Sequence, residues 1–302
     1  MKKYQKYKLH LLYLLIIVFS LNNLEIAAKE QKKSLLWKVE NTKTHNYTYL
    51  LGSIHIGKKD MYPLANYIEK AYNDSKSLVL EVDISKVNPM SMMKLMTFQD
   101  TSTLKGKLKP ETYTKIKKVF DENNLPEMVY AKLKPWAAIL TAQQLSMKDM
   151  LNEDIAPGID MYFVEKAGKD KKQIEQLETA EFQMGLFDDF NLIADEYIDF
   201  SLEEMENDEE FEKIINAYKA GDAEALNELI NKTKDDFPEY EKILEKILYE
   251  RNTNMTQKIS DWLSVENKVR FIVVGAGHLV GKKSIIDLLN LNKDYKITNI
   301  VE

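Results

Sequence analysis

The sequence predicts an α/β (α+β) fold in which one β-sheet joins the two ends of the chain. Three observations lead there. Apolar, β-branched-rich runs that read as strands lie near both ends. Almost everything between them is patterned as helix. No Gly/Pro/Ser-rich linker and no short repeat divides the chain. The chain has 302 residues, 44% hydrophobic and 30% charged, enough for one large core and too apolar for disorder.

Taken in order, Ser34–Glu40 and Asn46–Ile54 read as two strands of a hairpin around the polar stretch Asn41–His45. Pro63 opens a helix that runs through Ala65–Tyr72. Ser77–Asp83 is a short buried strand with carboxylates at its end. From Pro89 to about Met150 the pattern is helical, punctuated by Pro110, Pro126 and Pro135. Pro157-Gly158-Ile159-Asp160 breaks the chain, and a helix follows through Ala167. Lys172–Leu177 is a weaker strand. Thr179 to about Val265 is helical, interrupted at Gly221 and Pro238. Its acidic run Glu203–Glu212 reads as a solvated face. The chain ends β-α-β, over Val269–Val274, Ile285–Leu291 and Tyr295–Val301.

Residues 1–28 read as a secretory signal. Lys2, Lys3, Lys6 and Lys8 precede the apolar run Leu11–Leu21, and Ile26-Ala27-Ala28 offers small residues for cleavage after Ala28. The apolar run is short of the roughly 20 residues of a membrane span. The expected organisation is therefore a signal over 1–28 and one domain over 29–302, with helical insertions at about 86–150 and 179–265. The mature protein is expected outside the cytoplasm, touching a membrane only through an uncleaved N-terminal segment. Abundant lysine, asparagine and isoleucine give the composition a bacterial cast.

The charge of −6, with no long basic stretch outside the N-terminus, argues against a nucleic-acid partner. The absence of cysteine excludes disulfides, thiolate zinc sites, iron–sulfur clusters and a cysteine nucleophile. Any metal must be held by nitrogen and oxygen.

The chemistry concentrates in a repeated motif. Tyr49–His55 (YLLGSIH) and Phe271–His278 (FIVVGAGH) are each an apolar run broken by glycine, with histidine three residues on. The chain has only four histidines, and His10 lies in the signal. His45 sits in a polar turn and receives no role. The carboxyl ends of strands are where open α/β sheets bind ligands. His55 and His278 both sit there, and so does Glu81. Two imidazoles and a carboxylate suit a divalent metal with open positions, or proton transfer without one. A histidine held only for structure is the competing reading of each ring.

Two rival motifs fail. Phe271–Gly281 has Gly-x-Gly-x-x-x-Gly, one residue off the dinucleotide turn, and too little chain follows to build a nucleotide crevice. Gly281-Lys282-Lys283-Ser284 has the wrong spacing for a phosphate loop.

A set of short segments in order along the chain is similar to the TraB/PrgY/GumN family, within the wider Tiki superfamily of proposed metalloproteases, with distant relation to erythromycin esterase and haem-binding ChaN proteins. They are Gly52-Ser53-Ile54-His55 with Tyr62-Pro63-Leu64, Leu80-Glu81-Val82-Asp83 and Pro157-Gly158-Ile159-Asp160. Gln176-Leu177-Glu178-Thr179 with Gln183, Glu250-Arg251-Asn252 and Val274–Gly281 complete them. The stretch between Lys86 and Asn152 matches only as generic helix.

The resemblance implies a central mixed β-sheet flanked by helices, with a largely helical cap from the middle of the chain. It implies a site containing His55, Glu81 and His278, as ligands of Mn(II) or Co(II) or as catalytic groups. Arg251 and Asn252 would stabilise an oxyanion or bind a substrate carboxylate, and Asp160 and Glu178 would orient a histidine. Tiki proteins are described as proteases that trim peptide N-termini, and bacterial members are linked to shutting down peptide pheromones. The expectation is an exported metal-dependent hydrolase, a peptidase with a peptide or protein substrate. The alternatives are a non-catalytic haem- or peptide-binding protein, a metal-independent esterase, or an envelope protein that kept the fold and lost the activity.

Overall fold

The hairpin forms where the sequence places it. In the computed structural model, β1 (Leu36–Asn41) and β2 (Tyr47–Ser53) pair antiparallel. His45 takes the left-handed conformation, φ 61°, and its N–H reaches the Asn41 carbonyl at 2.8 Å. The described residues are 33–150, 155–204, 208–236 and 240–301. The signal expected over 1–28 lies outside them, as does Pro238. Among the described residues no helix is long and apolar enough to cross a membrane.

After a short strand β3 (Ile56–Lys58) and helix α1 (Asn66–Asp74) comes β4 (Ser77–Leu80), all four residues buried. The strand ends at Leu80, so Glu81 and Asp83 lie just beyond the sheet. Helices α2 (Pro89–Met96), α3 (Leu104–Lys107), α4 (Pro110–Glu122), α5 (Glu127–Tyr130) and α6 (Pro135–Met150) follow. Pro110 and Pro135 are first helical residues and Pro126 precedes one, positions where a missing N–H costs nothing. β5 (Ile155–Pro157) pairs antiparallel with β3. Neither strand is legible in the sequence, because three residues carry no period.

Next come α7 (Ile159–Asp170), β6 (Gln173–Gln176), α8 (Ala180–Gly185), α9 (Ala194–Glu204), α10 (Asp208–Lys219), α11 (Ala223–Asp236) and α12 (Tyr240–Leu244). A π-helical turn, Glu245–Glu250, joins α12 to α13 (Arg251–Val265). β7 (Arg270–Gly275), α14 (Ile285–Asn290) and β8 (Tyr295–Asn299) close the chain.

The main sheet has the order β6-β4-β7-β2-β1-β8. β6, β4, β7 and β2 run parallel, while β1 and β8 are antiparallel, so the sheet is mixed. The central parallel strands β4 and β7 are buried on both faces, as helix-covered strands must be. Val39, Leu50, Val79, Ile272 and Val274 pack one face against Met255 and Ile259 of α13, Leu226 of α11 and Ile285 and Leu289 of α14. Leu36, Leu51, Leu78, Phe271 and Val273 pack the other against Tyr72 of α1 and Phe163 of α7.

A third cluster is wholly helical. Phe120, Tyr130 and Trp136 from the first helical stretch meet Ile198 and Ile243 from the second. The two insertions thus share one core. The described residues make up a single compact unit.

Candidate active site

The sheet order makes the two Gly-x-x-His strands neighbours. β2 and β7 run parallel with Gly52 opposite Val274 and Ser53 opposite Gly275. The glycines allow close passage: a Cβ on Gly52 would lie 3.2 Å from Ala276 Cα. Beyond the strand ends, His55, Glu81, Asp160, Gln183, Arg251 and His278 all line one cavity of about 450 Å³. All four parallel strands deliver a polar residue at their carboxyl ends, with Glu178 coming from β6.

His278 ends a single 3₁₀ turn after β7 and is only 5% exposed. Its Nδ1 lies 2.6 Å from Asn252 Oδ1, and Asn252 Nδ2 donates to the Lys283 carbonyl at 2.8 Å. A carbonyl only accepts, so the Asn252 amide must face Lys283 and its oxygen must face His278. Nδ1 therefore carries the proton, and the Nε2 lone pair is left for the cavity. Nε2 stands 3.6 Å from Glu81 Oε1. Burial pushes the His278 pKa down to about 4 against the pull of Glu81, so the ring is neutral at pH 7.

Glu81 is held from three sides. Gly275 N–H donates to Oε1 at 2.7 Å. Gln183 Nε2, at 3.0 Å, and the Arg251 guanidinium donate to Oε2. Burial opposes its ionisation, but the charges of His278 and Arg251 and the Gly275 N–H outweigh burial and hold the pKa at about 2. Arg251 is 7% exposed and also grips Glu178 through Nε at 2.9 Å and Nη2 at 2.8 Å. Its Nη1 donates to the Ile247 carbonyl in the π-helical turn, at 2.9 Å. Burial raises the Glu178 pKa, and Arg251 opposes this.

His55 stands at the cavity with its ring 81% exposed. Its Nδ1 is 3.2 Å from Asp160 Oδ2, in the first turn of α7. That hydrogen bond, with the negative charges of Asp160 and Glu81, raises the His55 pKa. The second Asp160 oxygen is buried without a partner. Gly158 makes the approach possible. A Cβ there would lie 2.4 Å from the Ile54 carbonyl oxygen and 2.5 Å from His55 backbone atoms.

Each residue expected from the sequence thus has a definite place. His55, Glu81, Asp160, Arg251 and His278 meet in the cavity. Asp160 orients His55, whereas Glu178 contacts Arg251 and no histidine. Asn252 is fully buried and is spent on His278 and Lys283. Arg251 is engaged by two carboxylates and a carbonyl. Gln183 entered the sequence reading only through the resemblance. Its local signal is Thr179, which caps α8 by accepting from Phe182 N–H at 3.1 Å and so sets Gln183 one turn on.

Residues 35–299 match the model of the TraB/PrgY/gumN family. The chain belongs to that family. Its relatives include "Metalloprotease TIKI2" of Xenopus tropicalis, 22% identical over 88% of this chain and 60% of that protein. "Metalloprotease TIKI2" of Danio rerio is 20% identical over 87% and 60%. "Uncharacterized protein YbaP" of Escherichia coli (strain K12) is 24% identical over 47% and 52%. The chain therefore spans about 60% of the length of the metalloproteases it matches. No solved structure matches it.

The metalloprotease names of these relatives point to a divalent metal, and the site can be tested for it. Both imidazoles give Nδ1 to an oxygen and keep Nε2 free, the arrangement metal-binding histidines adopt. A buried Asp160 oxygen lacks a partner beside one of them. The donor chemistry, two imidazole nitrogens turned from their oxygen partners, suits a divalent ion. Glu81 is not free to join them, because both of its oxygens already accept hydrogen bonds. Among the described residues, no group of three His, Asp or Glu side chains converges to hold an ion.

Proposed function

We propose that this protein is an exported, metal-dependent peptide hydrolase whose site is built on His55, Glu81 and His278. The observation that carries the reading is the parallel pairing of β2 with β7 beside β4. It brings all three side chains to one cavity at the carboxyl ends of the sheet. Family membership and the metalloprotease names of relatives support hydrolysis.

His55 and His278 would hold the ion through Nε2, with Mn(II) or Co(II) favoured by the resemblance. A divalent ion there supplies a Lewis acid and a water of lowered pKa. The chain's own residues do the rest. Asn252 and Asp160 fix the tautomer and aim of the two rings. Glu81, kept ionised, compensates positive charge developing at the centre of the site. Arg251 holds Glu81 and Glu178 in register and places its own charge at the cavity wall. The substrate would be a peptide met outside the cytoplasm.

One observation favours a second reading. Glu81 is already saturated with donors, and neutral His278 faces it with a free Nε2. A metal-independent hydrolase, such as an esterase, would use that pair for proton transfer.

The test is cleavage of a peptide library by the protein lacking residues 1–28, with and without a chelator. Chelator-sensitive cleavage that is restored by Mn(II) and abolished by His55→Ala and by His278→Ala is expected. Cleavage that survives chelation but not His278→Ala would select the metal-free reading. Cleavage that survives both would exclude this site.

A further inference from the structure

The far walls of the cavity differ in chemistry from its catalytic end. Leu140 of α6, Met161 and Val164 of α7, Met184 of α8, Phe187 just after it, and Ile247 of the π-helical turn face into it. These side chains come from elements far apart in sequence. Most belong to the helical stretches, and Leu80 of β4 and Val273 of β7 add to the surface from the sheet. Phe187 is held in place by stacking on the buried Trp136, with ring centroids 5.4 Å apart and planes 23° apart. Arg251 is the one Lys or Arg that lines the cavity among the described residues, and Glu81 and Glu178 already neutralise it.

We infer that this cavity is a specificity pocket for a large apolar side chain next to the scissile bond, and that it rejects acidic and small polar residues. The inference rests on the hydrolase reading only in taking the cavity as the substrate site. Its volume, about 450 Å³, lies within the range of about 300–1,000 Å³ of ordinary ligand sites. An aliphatic or aromatic side chain placed against these walls exchanges water for apolar contact. A carboxylate against these walls loses its hydration and finds no unspent Lys or Arg beside it. Methionines at two wall positions let the pocket accept both branched and aromatic shapes.

The probe is a series of acetyl- and amide-capped hexaglycine-based peptides with leucine, phenylalanine, serine or aspartate at one central position. Their binding to the full-length His278→Ala chain is measured by calorimetry, with and without Mn(II). Reduced-amide versions on the wild-type chain repeat the ranking, in case His278→Ala disturbs the fold. Leucine and phenylalanine peptides are expected to bind about tenfold or more tightly than serine or aspartate peptides. Val164→Trp fills the pocket and is expected to weaken the phenylalanine peptide selectively. Equal binding of serine or aspartate peptides, or a ranking untouched by Val164→Trp, overturns the inference. Ranked binding with no cleavage under any metal condition defeats the hydrolase reading and leaves the pocket. Cleavage without ranking does the reverse.

Discussion

Asn252 Oδ1 lies 2.6 Å from His278 Nδ1, and the same side chain donates to the Lys283 carbonyl. One buried amide thereby sets the tautomer of the histidine and ties down the loop that carries it. Asn252→Leu keeps the volume but leaves the buried His278 N–H without a partner. It should cost about 1–3 kcal/mol of stability, seen in urea unfolding. Asn252→Asp puts a carboxylate at the same place and should raise the His278 pKa above about 4, read by NMR of the ring. An unmoved pKa would show that this contact does not govern the ring.

Arg251 separates two buried carboxylates, Glu81 and Glu178. Arg251→Met removes their common partner and leaves like charges facing each other. Loss of one member of a buried ion pair typically costs about 3–5 kcal/mol. Unfolding by urea at pH 7 should show a loss of that order. The double change Arg251→Met with Glu178→Gln should recover part of it, since one of the two stranded charges is gone.

The pH dependence of stability follows from two depressed pKa values. Glu81 goes from 4.5 to about 2 on folding, so its contribution is complete above about pH 4.5 and is lost as pH falls toward 2. His278 goes from 6.5 to about 4, so the folded state is disfavoured progressively as pH falls from 6.5 to 4. Chelated protein should lose stability on both counts, first below pH 6.5 and then below pH 4.5. His278→Asn should flatten the first segment and also shrink the second, because it removes one of the charges that hold the Glu81 pKa down. Thermal unfolding across pH 3–8 measures both.

Gly158 lets α7 start directly on the backbone of Ile54 and His55. Its Ile159 N–H donates to the Ile54 carbonyl at 3.1 Å. Gly158→Ala would push a methyl group into that backbone, and a clash of this kind costs about 2 kcal/mol or more. The expected result is a fall in stability together with loss of the His55–Asp160 contact, seen as a lower His55 pKa in NMR titration. Full stability in this variant would contradict the packing described.

Three links tie α10 to the segment around His55. Tyr218 Oη donates to the Gly52 carbonyl at 2.6 Å, Lys219 pairs with Asp60 at 2.6 Å, and Glu212 pairs with Lys58 at 2.5 Å. The two ion pairs are exposed and screened by salt, so the tyrosine carries most of the clamp. Tyr218→Phe should destabilise by about 1–2 kcal/mol. It should also raise hydrogen exchange at Ile54–Lys58 while leaving Ile272–Gly275 unchanged. Equal effects on both strands would mean a general loss of stability and no local clamp.

Strand positions were readable because burial on both faces demands continuous apolar runs, and glycine then marks where each run must turn. The two scarce histidines after those glycines, and Glu81 after β4, were visible for the same reason. Asp160 was expected to orient a histidine and it contacts His55. Glu178 was expected to do so and instead holds Arg251, since the pairing of β6 beside β4 places it next to the guanidinium. Asn252 was expected at the substrate and lies behind His278. Position along a helix gives a residue's face only when the neighbouring elements are known.

By itself, the sequence determined which segments form the six strands of the main sheet, that no thiol chemistry is available, and which residues stand at the ends of those strands. Those are local properties, set by period, composition and backbone freedom. Tertiary structure alone decided that β2 and β7 are parallel neighbours and that Gln183 from α8 reaches Glu81. It also decided that the π-helical turn offers Arg251 a carbonyl and that the cap walls the cavity with apolar side chains. Each of those facts depends on contacts between elements far apart in the chain, which no local pattern encodes.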